Sequence, residues 1–320
     1  MLKNYPMKHT TSLKIFSGSS HPELTAAIAK KLGVEVSPMI LKKFACGEIY
    51  ARVEESVRGA DVFIVQTSTA NVNEDMMELF IMIDSLKRSF AARVHVVIPH
   101  FAYARQDRVA VYREPISAKV MANLIEAAGA DHVITIHLHS DQEQGFFNFP
   151  IDNLHVSKIF IDYFNSKKLK DLVVVSPDAG GAKEAKKFAD ALGAELAIIH
   201  KQRPGHNKAE VMNLVGDVDG KTCVLYDDMI DTAGSVTAAV EALKKNGANK
   251  DIYLSATHAV FSYPAAERLA AAGFKEVVVS DTIPVPKEKQ FKGLKVLSVA
   301  PLLASIIKNV HDDKSVTKEL

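Results

Sequence analysis

The sequence predicts an α/β protein built from two similar domains, each a mainly parallel sheet flanked by helices. Three observations predict it. Short apolar runs of strand type alternate with stretches of helical periodicity from Leu13 to Val310. Layouts recur between the halves: Val94 to Arg108 and Leu172 to Lys187 both run from an apolar strand into a polar loop, and Val133 to Gly145 matches Cys223 to Ser235. The chain has 320 residues, enough to bury two cores. The join is expected near residues 150–157, giving an N-terminal domain over 1–155 and a C-terminal domain over 156–320. Crossovers between parallel strands are right-handed by default.

Composition excludes several classes. Lys+Arg 39 against Asp+Glu 38 leave no charge excess to attract nucleic acid or an anionic membrane. Two cysteines, Cys46 and Cys223, make neither a disulfide framework nor a zinc site, and a reducing cytoplasm is the simplest setting. The first fourteen residues lack the apolar core of a secretory signal, and no run approaches the roughly 20 apolar residues of a membrane span.

In chain order, the composition of residues 1–12 predicts a loose polar arm. Leu13–Phe16 is a strand and Ser17-Gly18-Ser19-Ser20 its turn. Pro22–Leu32 is a helix stopped by Gly33, and Ser20-His21-Pro22-Glu23 is more simply a helix cap than an anion site. Lys43 to Glu48 turns between two strand-like runs. Asp61–Gln66 is a buried strand, and Glu74–Arg88 a long apolar helix. Its Met76, Met77 and Met82 belong to a core or a subunit contact rather than a ligand box.

Val94–Pro99 is a strand that runs straight into His100-Phe101-Ala102-Tyr103-Ala104-Arg105-Gln106-Asp107-Arg108. The carboxyl end of a parallel strand is where open α/β sheets bind ligands. Arginines and an amide there suit phosphates or a nucleobase, and a solvated basic loop is the equal alternative on these residues alone. A helix over Ile116–Ala128 and a strand over His132–Ile136 lead to His137-Leu138-His139-Ser140-Asp141. Two histidines at i, i+2 on a strand share a face. Magnesium prefers oxygen, so at most one of them is expected near a metal.

The second half repeats the theme. Leu172–Val175 precedes Ser176-Pro177-Asp178-Ala179-Gly180-Gly181, then a helix to Leu192. Ala197–Ile199 precedes a basic Gly/Pro-containing loop, where Lys201 and Arg203 point the same way if the segment is extended. Cys223–Tyr226 is a strand followed by Asp227, Asp228 and Asp231, then Thr232-Ala233-Gly234-Ser235 opening a helix with Val236, Ala239, Val240 and Leu243 on one face. Small residues at a helix start leave N–H groups for a phosphate. Three acids beside it call for hydroxyls or a metal, so a phosphorylated sugar satisfies both, whereas an ordinary acidic cap would need only one acid. Strands over Ile252–Thr257, Val277–Val279 and Val296–Val299 and helices over Pro264–Ala272 and Leu302–Val310 complete the chain.

The stretch Asp227 to Ser235 resembles the motif by which type I phosphoribosyltransferases bind 5-phosphoribosyl 1-diphosphate (PRPP). With Phe16 to Ser20, Glu55-Ser56-Val57-Arg58-Gly59, Tyr103 to Arg108, Gln144 to Phe147 and Ser176 to Gly181, the chain resembles the ribose-phosphate pyrophosphokinases, or PRPP synthetases, over about Leu13 to Val316. That resemblance implies a duplicated phosphoribosyltransferase-like fold and a cytoplasmic homo-oligomer, a hexamer built from dimers. The implied reaction transfers the β,γ-diphosphate of ATP to the C1 hydroxyl of ribose 5-phosphate with Mg²⁺, feeding nucleotide, histidine and tryptophan biosynthesis. It places Phe44, Glu48, Arg105 and Gln106 at ATP, and Asp227, Asp228, Asp231, Thr232, Ala233, Gly234 and Ser235 at ribose 5-phosphate. His139 and Asp178 fall to the metal, and Lys201 and Arg203 to a catalytic loop. Ser56, Arg58, Arg113 and the C-terminal segment fall to a regulatory site for inorganic phosphate and ADP.

Four departures from the family pattern stand out. Cys46 occupies a turn that usually has Asp or Asn, and His137 replaces an Asp. Tyr112 replaces a small hydroxyl residue, and the terminus lacks an aromatic pair. The last two lie in the regulatory region, so weakened or altered ADP inhibition and phosphate activation are expected. The alternatives are a transferase that consumes PRPP, which would leave the Arg105 loop idle, and a non-catalytic paralogue that regulates synthetase subunits, against which Lys201, Arg203, Asp178 and the three aspartates argue.

Overall fold

The computed structural model describes residues 11–202 and 211–317. They divide into two compact units: one holds the residues up to Asn153 together with those from Ala300 onward, and the other holds Leu154–Val299.

In the first unit the chain runs β1 (Leu13–Ser17), α1 (Pro22–Leu32), β2 (Met39–Lys43), β3 (Ile49–Val53), β4 (Asp61–Val65), α2 (Val72–Arg88), β5 (Arg93–Ile98), α3 (Ser117–Ala128), β6 (His132–Ile136) and β7 (Ile151–Leu154). The main sheet has the order β1-β4-β5-β6-β7, with β2 and β3 forming a separate antiparallel hairpin. β1, β4, β5 and β6 pair in parallel. All five residues of β4 are buried, as is normal for a parallel strand covered on both faces. Met76 and Met82 of α2 join this core while Met77 is exposed.

The second unit runs α4 (Ser157–Lys167), β8 (Leu172–Ser176), α5 (Ala182–Leu192), β9 (Glu195–Gln202), β10 (Val211–Val215), β11 (Thr222–Ile230), α6 (Gly234–Lys245), β12 (Ile252–Ala259), α7 (Ala265–Ala272), β13 (Glu276–Ser280) and β14 (Leu294–Leu297). Its sheet order is β10-β9-β8-β11-β12-β13-β14, parallel except for the β9/β10 pair. The last helix, α8 (Ala300–His311), returns to the first unit and packs beside α1. The sequence predicts a second domain that runs to the terminus, whereas the residues from Ala300 onward belong to the first unit. The difference has a physical reason: α8 buries Leu303, Ile306 and Ile307, and His311 at its end bonds Asp61 of β4.

The two sheets follow one path. In each, five strands run in the same spatial order, and a hairpin separates the first from the second in sequence (β2/β3 in one unit, β9/β10 in the other). So β8 answers to β1 and β11 to β4. The internal echoes drawn from the sequence matched β5 with β8 and β6 with β11, and that register is wrong. Strand-then-polar-loop is common to every parallel strand, whereas hydrogen-bond order is not visible in a sequence. Helix α4 and strands β7 and β10 were not anticipated either.

Candidate active site

In the first unit, the loop after β5 and the turn after β6 open one pocket of about 590 Å³. Arg105, Gln106, Asp107, Arg108, Glu114, His139 and Ser140 line it. Its size suits a nucleotide-sized ligand. Buried Phe101, Ala102 and Ala104 anchor the loop, which leaves Arg105 and Gln106 exposed. The Gln106 side chain is oriented from α3, where the Ser117 hydroxyl donates to its Oε1 at 2.6 Å. That turns the Gln106 amide N–H groups, both donors, away from Ser117. Nothing in the sequence marked Ser117 as a support for this pocket.

The two histidines do not share a face. β6 stops at Ile136 and His137 takes a left-handed φ of 50°, which buries its side chain and leaves His139 exposed at the pocket. Phe44 and Glu48 close the tip of the β2/β3 hairpin, where the Phe44 N–H donates to the Glu48 carbonyl at 2.8 Å. Phe44 is 47% exposed and packs edge-on against Tyr50, with the Lys42 ammonium over both rings. Cys46 is exposed at the same tip. Ser56 and Arg58 lie exposed between β3 and β4, with the Arg58 guanidinium 4.0 Å above the Phe90 ring. Arg113 is exposed at φ 75°.

In the second unit, β11 runs through Asp227 and Asp228 to Ile230, so these two acids sit on the strand end rather than in the turn that follows Tyr226. The Asp227 carboxyl is held well above its ordinary range. Burial is the main cause, reinforced by the charge of Asp228, its hydrogen bonding, and the charge of Asp178. Crowded carboxylates of this kind are relieved by hydroxyl donors or a cation. The turn Asp231-Thr232-Ala233 then leads into α6. Ala233, nearly buried, holds φ 61° and no side-chain bond from this cap residue closes the helix. The first N–H groups of α6 therefore lie at a positive helix end, as an anion site requires. The Thr232 carbonyl is held by the Arg268 guanidinium of α7 at 3.0 Å.

Asp178 follows β8. Its Oδ1 accepts from the Gly181 N–H at 3.0 Å, and the Ser176 hydroxyl donates to its carbonyl at 2.7 Å. A Cβ at Gly180 would lie 3.2 Å from Oδ1, so glycine gives this carboxylate its room. Lys201 lies on β9 opposite Met212, and Arg203 lies outside the described residues.

The corresponding loops of the first unit are filled by the chain itself. The Ser19 N–H donates to Glu78 Oε1 at 2.7 Å, and the Ser20 N–H and hydroxyl donate to Gln66 Oε1 at 3.2 and 2.6 Å. A Cβ at Gly18 would stand 2.1 Å from that same oxygen. His21 Nδ1 accepts from the Leu24 N–H, which makes it a plain cap. Glu78 thus sits where an oxyanion would, so ligand chemistry in this unit moves to the β5 and β6 loops.

Two family models match. Residues 13–129 match the N-terminal domain of ribose phosphate pyrophosphokinase, and residues 205–319 the phosphoribosyl synthetase-associated domain. The chain is 52% identical to the ribose-phosphate pyrophosphokinase of Caldanaerobacter subterraneus over 97% of its own length and 98% of that protein. Against the Bacillus subtilis protein of the same name it is 51% identical, with 96% of each chain covered. The crystal structure of phosphoribosylpyrophosphate synthetase from Mycobacterium smegmatis superimposes with a TM-score of 0.91 at 46% identity, covering 95% of this chain and all of that one. With full-length likeness in sequence and fold, and with the acidic strand end and the small-residue helix start both present, the chain belongs to the ribose-phosphate pyrophosphokinase family.

Proposed function

We propose that this protein transfers the diphosphate of ATP to the C1 hydroxyl of ribose 5-phosphate, forming PRPP and AMP. The observation that carries the reading is the pairing of the acidic end of β11 with the small-residue start of α6, whose cap residue Ala233 has no polar side chain of its own. A sugar diol answers the first and a 5-phosphate the second. Asp227 and Asp228 are then clamps on the 2- and 3-hydroxyls, with Asp231 in the same loop, and Thr232, Ala233, Gly234 and Ser235 present the phosphate site. ATP takes the pocket of Arg105, Gln106 and His139, with Phe44 and Glu48 bordering the adenine. The bidentate guanidinium of Arg105 and the amide N–H groups of Gln106 bind phosphate oxygens. Catalysis needs no strong base, because the anomeric hydroxyl is already acidic for an alcohol. The chain's contribution is positioning and neutralisation of developing charge, by Lys201 and Arg203.

Magnesium fits the donor set at Asp178, a single exposed carboxylate with one oxygen already fixed by Gly181. Among the described residues there is no cluster of three or more metal-binding side chains. His139, whose nitrogen is a poor magnesium donor, is the weaker of the two expected ligands. When bound, the ion draws charge from the phosphate oxygens. No helix among the described residues is long and apolar enough to cross a membrane. A homo-oligomer, a hexamer above all, and effector binding by phosphate and ADP at Ser56, Arg58 and Arg113 complete the proposal.

The deciding measurement is AMP release from ATP, which is expected only when ribose 5-phosphate and Mg²⁺ are both present. Turnover of PRPP with a nucleobase and no ATP requirement would replace this reading with the transferase. Asp228→Asn keeps the side chain's shape but weakens its acceptance from hydroxyls. It is expected to raise KM for ribose 5-phosphate about tenfold and KM for ATP far less, and equal changes in both would remove the clamp role.

A further inference from the structure

We propose that Arg268 is a positioning residue for the ribose 5-phosphate loop, holding its backbone and adding a side-chain cation at the phosphate end. This rests on the acceptor-loop reading above. Among the seven loop residues expected to hold the sugar phosphate, none is basic. The 5-phosphate would therefore meet backbone N–H groups and a helix end, with three carboxylates next to them. Arg268 comes from α7, over thirty residues further along the chain, and donates from Nη1 to the Thr232 carbonyl at 3.0 Å.

Two features make that bond more than a surface contact. Ala233 holds φ 61°, a left-handed conformation that is strained for a non-glycine residue. Such a residue keeps this shape only where its neighbours enforce it, and the carbonyl just before it is the one Arg268 grips. The second feature is distance. A Cβ built on Gly234 would lie 3.6 Å from the same Nη1, so the guanidinium flanks the backbone that presents the helix-start N–H groups. One bond to Thr232 uses one of five guanidinium N–H groups, which leaves donors for a phosphate oxygen. The residue is held at this place by its helix. Ala265 and Leu269 pack into the same apolar cluster as Ala233 and Val236, and the Phe261 N–H, at the entry to α7, donates to the Ile230 carbonyl at 3.0 Å.

The test is calorimetric binding of ribose 5-phosphate to the full chain and to Arg268→Gln and Arg268→Lys, each at two salt concentrations, together with KM for both substrates. The expected result is a Kd for ribose 5-phosphate raised about tenfold in Arg268→Gln, partial recovery in Arg268→Lys, and KM for ATP within about twofold of the parent. The salt dependence of ribose 5-phosphate binding should be shallower in Arg268→Gln, because a phosphate-facing charge has been removed. A purely structural role would lower the melting temperature and leave the salt dependence alone, and that outcome overturns the proposal. If Arg268→Gln melts below the assay temperature, Arg268→Lys is read alone: a Kd for ribose 5-phosphate raised severalfold with the salt slope kept and ATP unaffected supports the role, and an unchanged Kd, or a Kd raised equally for both substrates, overturns it. Failure of the parent itself to bind ribose 5-phosphate would sink the acceptor-loop reading, whereas normal binding by the parent and by Arg268→Gln sinks Arg268 alone.

Discussion

Asp61→Asn is expected to destabilise the first unit by about 3 kcal/mol at pH 7, the lower end of what breaking a buried ion pair costs. The Asp61 carboxylate is fully buried and accepts four N–H groups. Oδ1 takes Arg93 Nε at 2.9 Å and His95 Nε2 at 2.8 Å, and Oδ2 takes Arg93 Nη2 at 2.9 Å and His311 Nδ1 at 2.8 Å. Beyond His95, the contacts run on to His132 at 3.1 Å and from there to Asp152 at 3.2 Å. An amide in place of the carboxylate turns an N–H toward donors and removes the negative charge that three cationic or polar partners share. Arg93 is partly exposed and can rehydrate, which keeps the loss from reaching the top of the range.

The pH dependence has a definite sign. Burial alone would raise the Asp61 carboxyl, but the bonds from His95, His311 and Arg93 outweigh it and hold the group down at about 2. Its ordinary value is near 3.9, so the unfolded chain binds this proton first. The stabilisation is fully present above about pH 4 and is lost as pH falls through about 2. His95 adds to the same slope. Burial, the larger cause, lowers its proton affinity against the pull of Asp61, so the unfolded state takes up a proton that the folded state resists as pH drops below about 6.5. Denaturant unfolding of parent and Asp61→Asn across pH 2 to 7 should therefore show a gap that is wide at pH 7 and closes toward pH 2. A gap below about 1 kcal/mol at neutral pH would mean that the network holds α8 no better than solvent does.

Lys201→Ala carries the largest expected effect on catalysis, a fall in kcat of about a thousandfold, in the range seen when one preorganised charge donor is taken from a transition state. Lys201 is the penultimate residue of β9, which pairs antiparallel with the edge strand β10. Diphosphoryl transfer spreads charge over bridging and leaving oxygens, and a lysine that meets this charge only in the transition state contributes to kcat rather than to ground-state binding. The dissociation constant for ATP should move less than about threefold. Equilibrium binding of ATP set beside single-turnover AMP formation separates the two quantities. A variant that loses ATP affinity while turning over normally would take Lys201 out of the catalytic role.

Some of this protein was open to reading from the chain alone. Apolar runs such as Val62 to Val65 and Val173 to Val175 fixed the buried parallel strands, because a strand covered on both faces must be apolar throughout. The spacing of Val236, Ala239, Val240 and Leu243 fixed α6, and all four are buried. The acidic and small-residue run before it was readable as a candidate site because its acids and the helix-start N–H groups are contiguous in the chain. The loop from Tyr103 to Arg108 is contiguous too, and the structure places Arg105 to Arg108 along one pocket.

What tertiary structure decided are contacts between residues far apart in sequence. The first-unit loop at Ser17 to Ser20 has the small polar residues of an anion site, yet Glu78, 59 residues further on, supplies the carboxylate that fills it. His311 reaches Asp61 across 250 residues and brings the last helix to the first unit. Arg268 grips the carbonyl of Thr232 from a helix whose local sequence, Ala-Glu-Arg-Leu-Ala, has nothing to set it apart. Local periodicity and composition dictate which elements form and which loops carry chemistry, since those depend on backbone geometry and burial within a few turns. Which strand answers to which, which small polar loop the chain itself fills, and which distant cation meets the Thr232 carbonyl depend on hydrogen bonds and charges that meet only after the chain has folded.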